Sequence, residues 1–166
     1  MSRRALRTAL CLALLAAPAA AVAQTGPGAA KAATIAKGAQ RPAPKTHRIV
    51  VQVTQNDPAM MTLALNNVEN MTRYFESKDE RAEIEVVAYG PGLAMMRSDV
   101  SPVKDRLAAL AKGNRGIVFT GCANTMANQS KQEGRELSLV PEARLVPAGI
   151  ARVVELQEEG WTYVRP

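Results

Sequence analysis

Short apolar runs alternate with segments of helical periodicity, and this alternation is the feature that most restricts the fold. The runs are rich in β-branched residues, which favour strands. They lie at residues 48–53, 84–89, 117–119, 144–147 and 161–164. Apolar residues at three- and four-residue steps, the spacing of one helix face, follow the first run. They are Met61, Leu65, Val68, Met71 and Phe75. The order β-α-β-α-β-α-β-α-β predicts one mostly parallel sheet covered by helices on both sides.

Turn and capping residues indicate where the helices begin and end. Asp57 precedes Pro58, a pair typical of an N-cap and a first helical position. Ser101-Pro102 is expected to cap a second helix, which stops at Gly113. Later helices are expected at residues 125–132 and 150–159. The Gly-Pro-Gly at 90–92 predicts a sharp turn with exposed backbone amides, before a short helical turn at residues 93–97.

The first 23 residues have the pattern of a secretory signal peptide. Three arginines precede an apolar run at residues 8–17, and Ala21-Val22-Ala23 supplies small residues for cleavage after Ala23. The alternative is a membrane anchor, but this run is shorter than the ~20 residues that span a bilayer. Residues 24–46 are rich in Ala, Pro, Gly and Lys and are predicted to be a disordered linker. Residues 47–166 are then predicted to form one domain of a protein that is periplasmic or otherwise exported, without stable membrane insertion.

Charge and cysteine content narrow the function. The net charge is +6, but residues 47–166 hold 14 Lys and Arg against all 15 Asp and Glu. The domain therefore lacks the basic surface of a nucleic-acid-binding protein. Cys11 lies in the predicted signal, which leaves Cys122 as the single cysteine of the exported chain. With one thiol and one histidine, a protein-only metal site is not expected, and no cofactor-binding motif is visible.

The stretch G-I-V-F-T-G-C-A-N-T-M at 116–126 contains the candidate site. Ile117–Phe119 predicts a strand buried on both faces, which Thr120 and Gly121 are expected to end. Cys122 follows at the carboxyl edge, where sites form in parallel sheets. Loops after the other strands converge on this edge. The candidate binding residues in these loops are Asn56, Asp57, Gly90, Gly92, Gly121, Ala123, Asn124 and Gly149.

Each candidate also has a structural interpretation. Cys122 at a helix N-terminus is either a nucleophilic thiolate, favoured by the helix dipole and free amides, or a small apolar residue packed at a strand end. Asn124 either orients a ligand or caps the following helix, and capping is the commoner of these two roles. Asp57 is expected to be a helix cap rather than a general base. His47, before the first strand, is expected to be solvated. A third possibility for Cys122 is a redox-sensing disulfide between two subunits.

From His47 to Pro166 the chain resembles the DsrE/DsrF-like family, in particular its small exported members. The resemblance rests on segments that occur in family order. They are V-V-Q-V-T-Q-N-D-P at 50–58, L-A-L-N-N-V-E-N at 63–70, V-V-A-Y-G-P-G at 86–92, G-C-A-N-T-M at 121–126, V-P-A-G-I at 146–150 and E-G-W-T-Y-V-R-P at 159–166.

The resemblance implies a three-layer α/β/α sandwich with a five-stranded sheet, and a homo-oligomer, trimer or hexamer. It also implies a role in sulfur relay, in which a cysteine after the third strand carries persulfide between a donor and an acceptor protein. Cys122 occupies that position in the topology. The alternative function is a non-catalytic homo-oligomer that binds a small ligand or a partner at the same edge, with Cys122 as a structural residue.

Overall fold

The computed structural model describes residues 43–166, in which five strands alternate with helices. The strands are β1 (Thr46–Val53), β2 (Arg81–Ala88), β3 (Ile117–Cys122), β4 (Ala143–Val146) and β5 (Thr162–Val164). The α-helices are α1 (Pro58–Glu76), α2 (Lys104–Gly113), α3 (Ala123–Glu133) and α4 (Gly149–Glu158). A 3-10 helix spans Gly90–Met96, between β2 and α2.

All strand pairs of the sheet are parallel, and the strand order is β4-β3-β2-β1-β5. The chain moves outward in one direction from β1 to β4, and α4 then carries it back across the sheet to β5 beside β1. The predicted α/β fold is confirmed, with a sheet that is entirely parallel. This arrangement collects every loop that follows a strand along one edge.

Two apolar cores separate the layers of the sandwich. The larger core lies under α1, the 3-10 helix and α2, and it contains Ile49, Val51, Ile84, Val86 and Phe119 from the sheet. A smaller core joins the opposite face of the sheet to α4. Its buried members are Val50, Val87, Val153 and Leu156. We call this opposite side of the sheet the α4 face. Strand residues alternate between the two sides, so the neighbours of the larger-core residues point to the α4 face.

The predicted start and apolar face of α1 are confirmed. The Asp57 carboxylate accepts a hydrogen bond of 2.8 Å from the Ala59 amide, and Pro58 occupies the first helical position. Met61, Leu65 and Val68 on this helix are fully buried. Asp57 is therefore a helix cap, the structural role that the sequence favoured.

The prediction that Thr120 and Gly121 end the third strand is wrong. Both residues lie within β3, and Gly121 and Cys122 pair with Leu145 and Val146 of β4. Because β3 lies between β2 and β4, hydrogen bonds on both sides outweigh the low strand propensity of glycine. α3 begins directly after the strand, at Ala123, two residues earlier than predicted.

Two further local predictions are corrected. Ser101 does not cap α2: its hydroxyl donates to the Met95 carbonyl over 2.6 Å, and the helix begins only at Lys104. His47 is not solvated. Its Nε2 lies 2.7 Å from the Glu80 carboxylate, and its ring stacks on Phe75 with centroids 3.7 Å apart. The helix and turn that follow β1 fold back over its first residues and partly cover this histidine.

The predicted signal peptide and all but the last four residues of the predicted linker lie outside the described residues. β1 already includes Thr46, the last residue of that linker, which pairs with Arg81. No helix within residues 43–166 is both long and apolar enough to span a bilayer.

Candidate functional site

Cys122 lies at the carboxyl edge of the sheet, as the last residue of β3 and the N-cap of α3. Its Sγ accepts a hydrogen bond of 3.4 Å from the Thr125 amide, in place of the hydroxyl or carboxylate that usually caps a helix. The residue is 5% exposed. The predicted position of the thiol, where a buried strand leads into a helix, is therefore found.

A second helix begins against the same cysteine. Gly149 opens α4, and a Cβ placed on it would lie 3.1 Å from the Cys122 Cβ and 2.9 Å from the Tyr89 Cβ. Such contacts are too close for ordinary packing, so a residue without a side chain is required here. Because it has no side chain, Gly149 lies against Cys122, and its backbone amide helps to lower the pKa of the thiol. Two helix N-termini, each with a partial positive charge, thus converge on one thiol.

These contacts determine the ionisation of Cys122. Burial of the thiol raises its pKa, but hydrogen bonds from the Thr125 side chain and from the backbone amides of Gly149 and Thr125 outweigh that effect. The net result is a pKa below the ordinary cysteine value. Because the thiolate is the nucleophilic form, this environment favours reactivity of Cys122 at lower pH than for a free cysteine.

Thr125 is a site residue that sequence reasoning missed. Its hydroxyl oxygen accepts a hydrogen bond of 3.1 Å from the Gly90 amide, and the same side chain hydrogen-bonds to the thiol. Gln129, one turn further along α3, donates to the Gly90 carbonyl over 3.2 Å. A signal was present in the sequence, since Thr125 stands three residues after Cys122, the position that an N-cap side chain contacts.

The predicted binding residues divide into those beside the thiol and those that support the fold. Gly149 and the first two residues of α3, Ala123 and Asn124, lie beside Cys122. Only the backbone of Asn124 takes part: its amide donates to the Pro147 carbonyl over 3.2 Å, and the residue is exposed. Gly90, with φ of +55°, is connected to the site through Thr125.

The remaining candidates serve the packing of this edge. A Cβ on Gly92 would lie 2.4 Å from the Val53 carbonyl oxygen, so this glycine lets the 3-10 helix cross β1 closely. Gly121 is packed under Leu139 and Leu93 on the side of the sheet opposite α4. Asp57 is occupied as the cap of α1. The structure thus assigns these three residues to the scaffold.

A polar groove of about 760 Å³ lies beside the site, between the 3-10 helix and α3. Thr125 both lines the groove and hydrogen-bonds to the thiol. The groove is lined by Asn56, Gly90, Pro91, Thr125, Gln129 and Arg135, among others. The positive charge of Arg97 at this groove is balanced by two carboxylates, because Asp99 and Glu133 accept its hydrogen bonds at 2.5 to 3.0 Å.

Residues 43–166 contain no group of side chains that could bind a metal ion. No cluster of three or more His, Cys, Asp or Glu side chains in this part of the chain is arranged to hold an ion. The chemistry that the site offers is that of a stabilised thiolate. It can attack an electrophilic sulfur or carbon, and its small exposure restricts the attack to a slender group.

Comparison with known proteins identifies a relative of known structure. No family model and no curated protein matches the chain. Among solved structures, it is similar to MTH1491 from Methanobacterium thermoautotrophicum, a protein of unknown function, with 30% sequence identity and a TM-score of 0.62. The match covers 72% of this chain and 99% of MTH1491. At that identity and coverage, the chain belongs to the same family as MTH1491.

Proposed function

We propose that this protein is an exported DsrE/DsrF-like sulfur carrier in which Cys122 holds a persulfide. The observation that carries the proposal is the position of one thiol at the N-termini of two helices: the Thr125 amide of α3 donates to the sulfur, Gly149 of α4 lies against the same residue, and the pKa of the thiol is lowered. Sulfur transfer requires a thiolate both as attacking and as leaving group. The same amides that stabilise the thiolate suit a terminal persulfide anion one bond further out.

The loading step is a thiol–polysulfide exchange. The Cys122 thiolate attacks the terminal sulfur of a hydrogen polysulfide, HS–Sn⁻, and a bond forms between the two sulfurs. The adjacent S–S bond of the donor breaks, and its electron pair leaves with the shortened polysulfide dianion. The Cys122 persulfide then loses its proton to water. In unloading, an acceptor thiolate attacks the outer sulfur, and the Cys122 thiolate leaves with the bonding electrons.

The proposal extends to location and partners. A carrier exported by the N-terminal signal would act in the periplasm, would exchange sulfur with a donor and an acceptor protein, and would assemble as a trimer or hexamer. Its role ends with the transfer of sulfur, so no resident cofactor is invoked.

A specific observation favours the second candidate, a homo-oligomeric binding protein in which Cys122 only packs. The cysteine is 5% exposed, which is within the range of inert, buried thiols. The polar contacts to the sulfur favour the first candidate, and the small exposure favours the second. The two functions therefore differ in one measurable property, the reactivity of Cys122 as a function of pH.

The test is the rate of alkylation by iodoacetamide from pH 5 to 10, followed by intact mass, on protein that begins at Gln24. The Cys122→Ser variant is the control for modification elsewhere. A parallel sample is exposed to polysulfide and examined for a gain of one sulfur atom that dithiothreitol removes. A lowered thiol pKa with this adduct supports the carrier. Slow alkylation at every pH without an adduct would leave the binding protein as the function.

A further inference from the structure

A buried carboxylate lies on the α4 face, in the middle of the sheet. Glu85 on β2 is 1% exposed, and its neighbours in that strand, Ile84 and Val86, are apolar and buried. Thr120 of the neighbouring strand β3 donates to its Oε1 over 2.8 Å. Thr120 is two residues before Cys122 in β3, so both side chains point to the α4 face. The carboxylate and the thiol therefore occupy the same side of the same part of the sheet.

Two arginines complete the environment of Glu85, and they come from opposite sides of one loop. Arg144 lies on β4, before the loop Pro147-Ala148, and its Nη2 is 3.1 Å from Oε2 of Glu85. Arg152 lies on α4, after the loop, and donates through Nε and Nη2 over 3.1 and 2.9 Å. One carboxylate thus holds both the strand that enters the loop and the helix that leaves it.

The loop between these arginines is the one that brings Gly149 to the thiol. Val146, the last residue of β4 before this loop, pairs with Cys122 of β3. Gly149 precedes Arg152 by three residues, so both lie on the same side of α4. Any shift of α4 along the sheet moves the Gly149 amide relative to the sulfur. The bidentate contact from Arg152 to Glu85 opposes such a shift because its geometry is fixed by two parallel hydrogen bonds.

We propose that Glu85 is a positioning residue: by binding Arg144 and Arg152, it holds the β4–α4 loop so that Gly149, the first residue of α4, lies against Cys122. This inference rests on the proposed role of Cys122 as a reactive thiolate. A purely structural role explains the arrangement less well. Burying ions is costly, and apolar residues of similar volume attach a helix to a sheet at least as firmly. What an apolar contact lacks is directional control over the position of the loop.

The experiment compares Glu85→Gln with the matched control Glu83→Gln. Glu83 is two residues earlier on the same strand and face, but its ion-pair partner is the exposed Arg48, whereas Arg144 and Arg152 pair with Glu85. We expect Glu85→Gln to raise the thiol pKa and to lower the thiolate fraction at pH 7 by ~3- to 10-fold, the effect of about half to one pKa unit. Glu83→Gln should keep the wild-type profile of alkylation against pH. Circular dichroism establishes that each variant is folded.

A second variant and a second readout keep the test decisive. Arg144→Gln removes one of the two ion pairs of Glu85, and the arginine that is replaced is largely exposed. This variant should also raise the thiol pKa, but by less than Glu85→Gln. Amide hydrogen exchange at Gly149 should accelerate in both variants. If folded Glu85→Gln and Arg144→Gln alkylate with the wild-type pH profile, the positioning role is overturned. It is also overturned if the wild-type thiol has an ordinary pKa.

The outcome for sulfur transfer is separate from the outcome for positioning, because alkylation reports the thiolate whether or not persulfide forms. A lowered wild-type pKa that depends on Glu85, with no polysulfide adduct, would leave the positioning role standing and remove the carrier function.

Discussion

The properties of Cys122 depend on which hydrogen-bond donors surround its sulfur. A cysteine as N-cap of α3 would receive the Thr125 amide in any case. The Thr125 hydroxyl is a less general feature. Because the Gly90 amide already occupies its oxygen as an acceptor, the hydroxyl proton is available to the thiolate. The side chain therefore connects the 3-10 helix after β2 to the ionisation of a residue on β3.

We expect Thr125→Val to raise the thiol pKa, since valine has a similar shape and no hydroxyl. Loss of one hydrogen bond to a charged group, worth about 1.5 to 3 kcal/mol, corresponds to roughly one pKa unit or more. The measurement is the midpoint of the alkylation rate against pH. Thr125→Ser, which retains the hydroxyl, is the control and should stay near the wild-type midpoint. Equal midpoints for the valine and serine variants would show that the hydroxyl has no influence on the thiol.

Some of these residue roles could be predicted from the sequence and others could not. The position of Cys122 follows from local signals, an apolar run followed by a helix-compatible segment. The contribution of Gly149 depends on α4 crossing the face of the sheet toward β5, which no local pattern specifies. No sequence pattern indicated the role of Glu85. A single acidic residue in the run Ile84-Glu85-Val86-Val87 has the pattern expected of a side chain that points to solvent. Its arginine partners, Arg144 and Arg152, are far away in sequence.

At the scale of elements, the site depends on the short distance between the first residue of α4 and the ends of β2 and β3. The start of α4 touches Tyr89 and Cys122 through a glycine without any side chain between them. Boundaries decide this geometry. Had β3 ended at Phe119, as its propensities predict, Cys122 would not pair with β4 and would not meet the first turn of α4. Pairing on both sides is a tertiary effect, so the sequence pattern alone could not extend the strand.

Gly149→Ala is therefore expected to destabilise the domain and to disturb the thiol together. The added methyl group would overlap Tyr89 and Cys122, and overpacking of this kind costs about 1 to 3 kcal/mol. Urea unfolding measures the loss, and the alkylation profile should show a raised thiol pKa as the α4 amide moves away. Gly113→Ala is the matched control, because a Cβ there meets nothing within 4 Å at the end of α2. An equal effect of the two substitutions would contradict the close approach at Gly149.

At the scale of the whole molecule, the α/β class follows from the alternation of apolar runs and helices, but the strand order does not. The same alternation is compatible with several parallel orders, and long-range packing selects β4-β3-β2-β1-β5. That order leaves α4 as the cover of one sheet face, over a small apolar core and the Glu85 cluster. Glu85 connects β2, β3, β4 and α4, so its ionisation should affect the stability of the entire domain.

The acid limb of the stability curve tests this connection. Burial raises the pKa of Glu85, but hydrogen bonds from Arg152 and Thr120 and the charges of both arginines lower it below its ordinary value. The unfolded state then binds the proton more readily than the folded state. The stabilisation from the carboxylate is therefore complete above the unfolded pKa, ~4.3, and is lost as pH falls through the lower folded pKa.

We expect Glu85→Gln to reduce the free energy of unfolding at pH 7 by about 2 kcal/mol, the scale of hydrogen bonds to a charged group. The difference from wild type should shrink as pH falls below ~4, because the wild-type carboxyl then takes up its own proton. Urea unfolding at pH 7, 5, 4 and 3 measures both curves. Glu83→Gln, at its exposed ion pair, controls for the general loss of one negative charge. A difference between wild type and Glu85→Gln that stayed constant from pH 7 to 3 would mean that ionisation of this carboxylate does not hold α4 to the sheet.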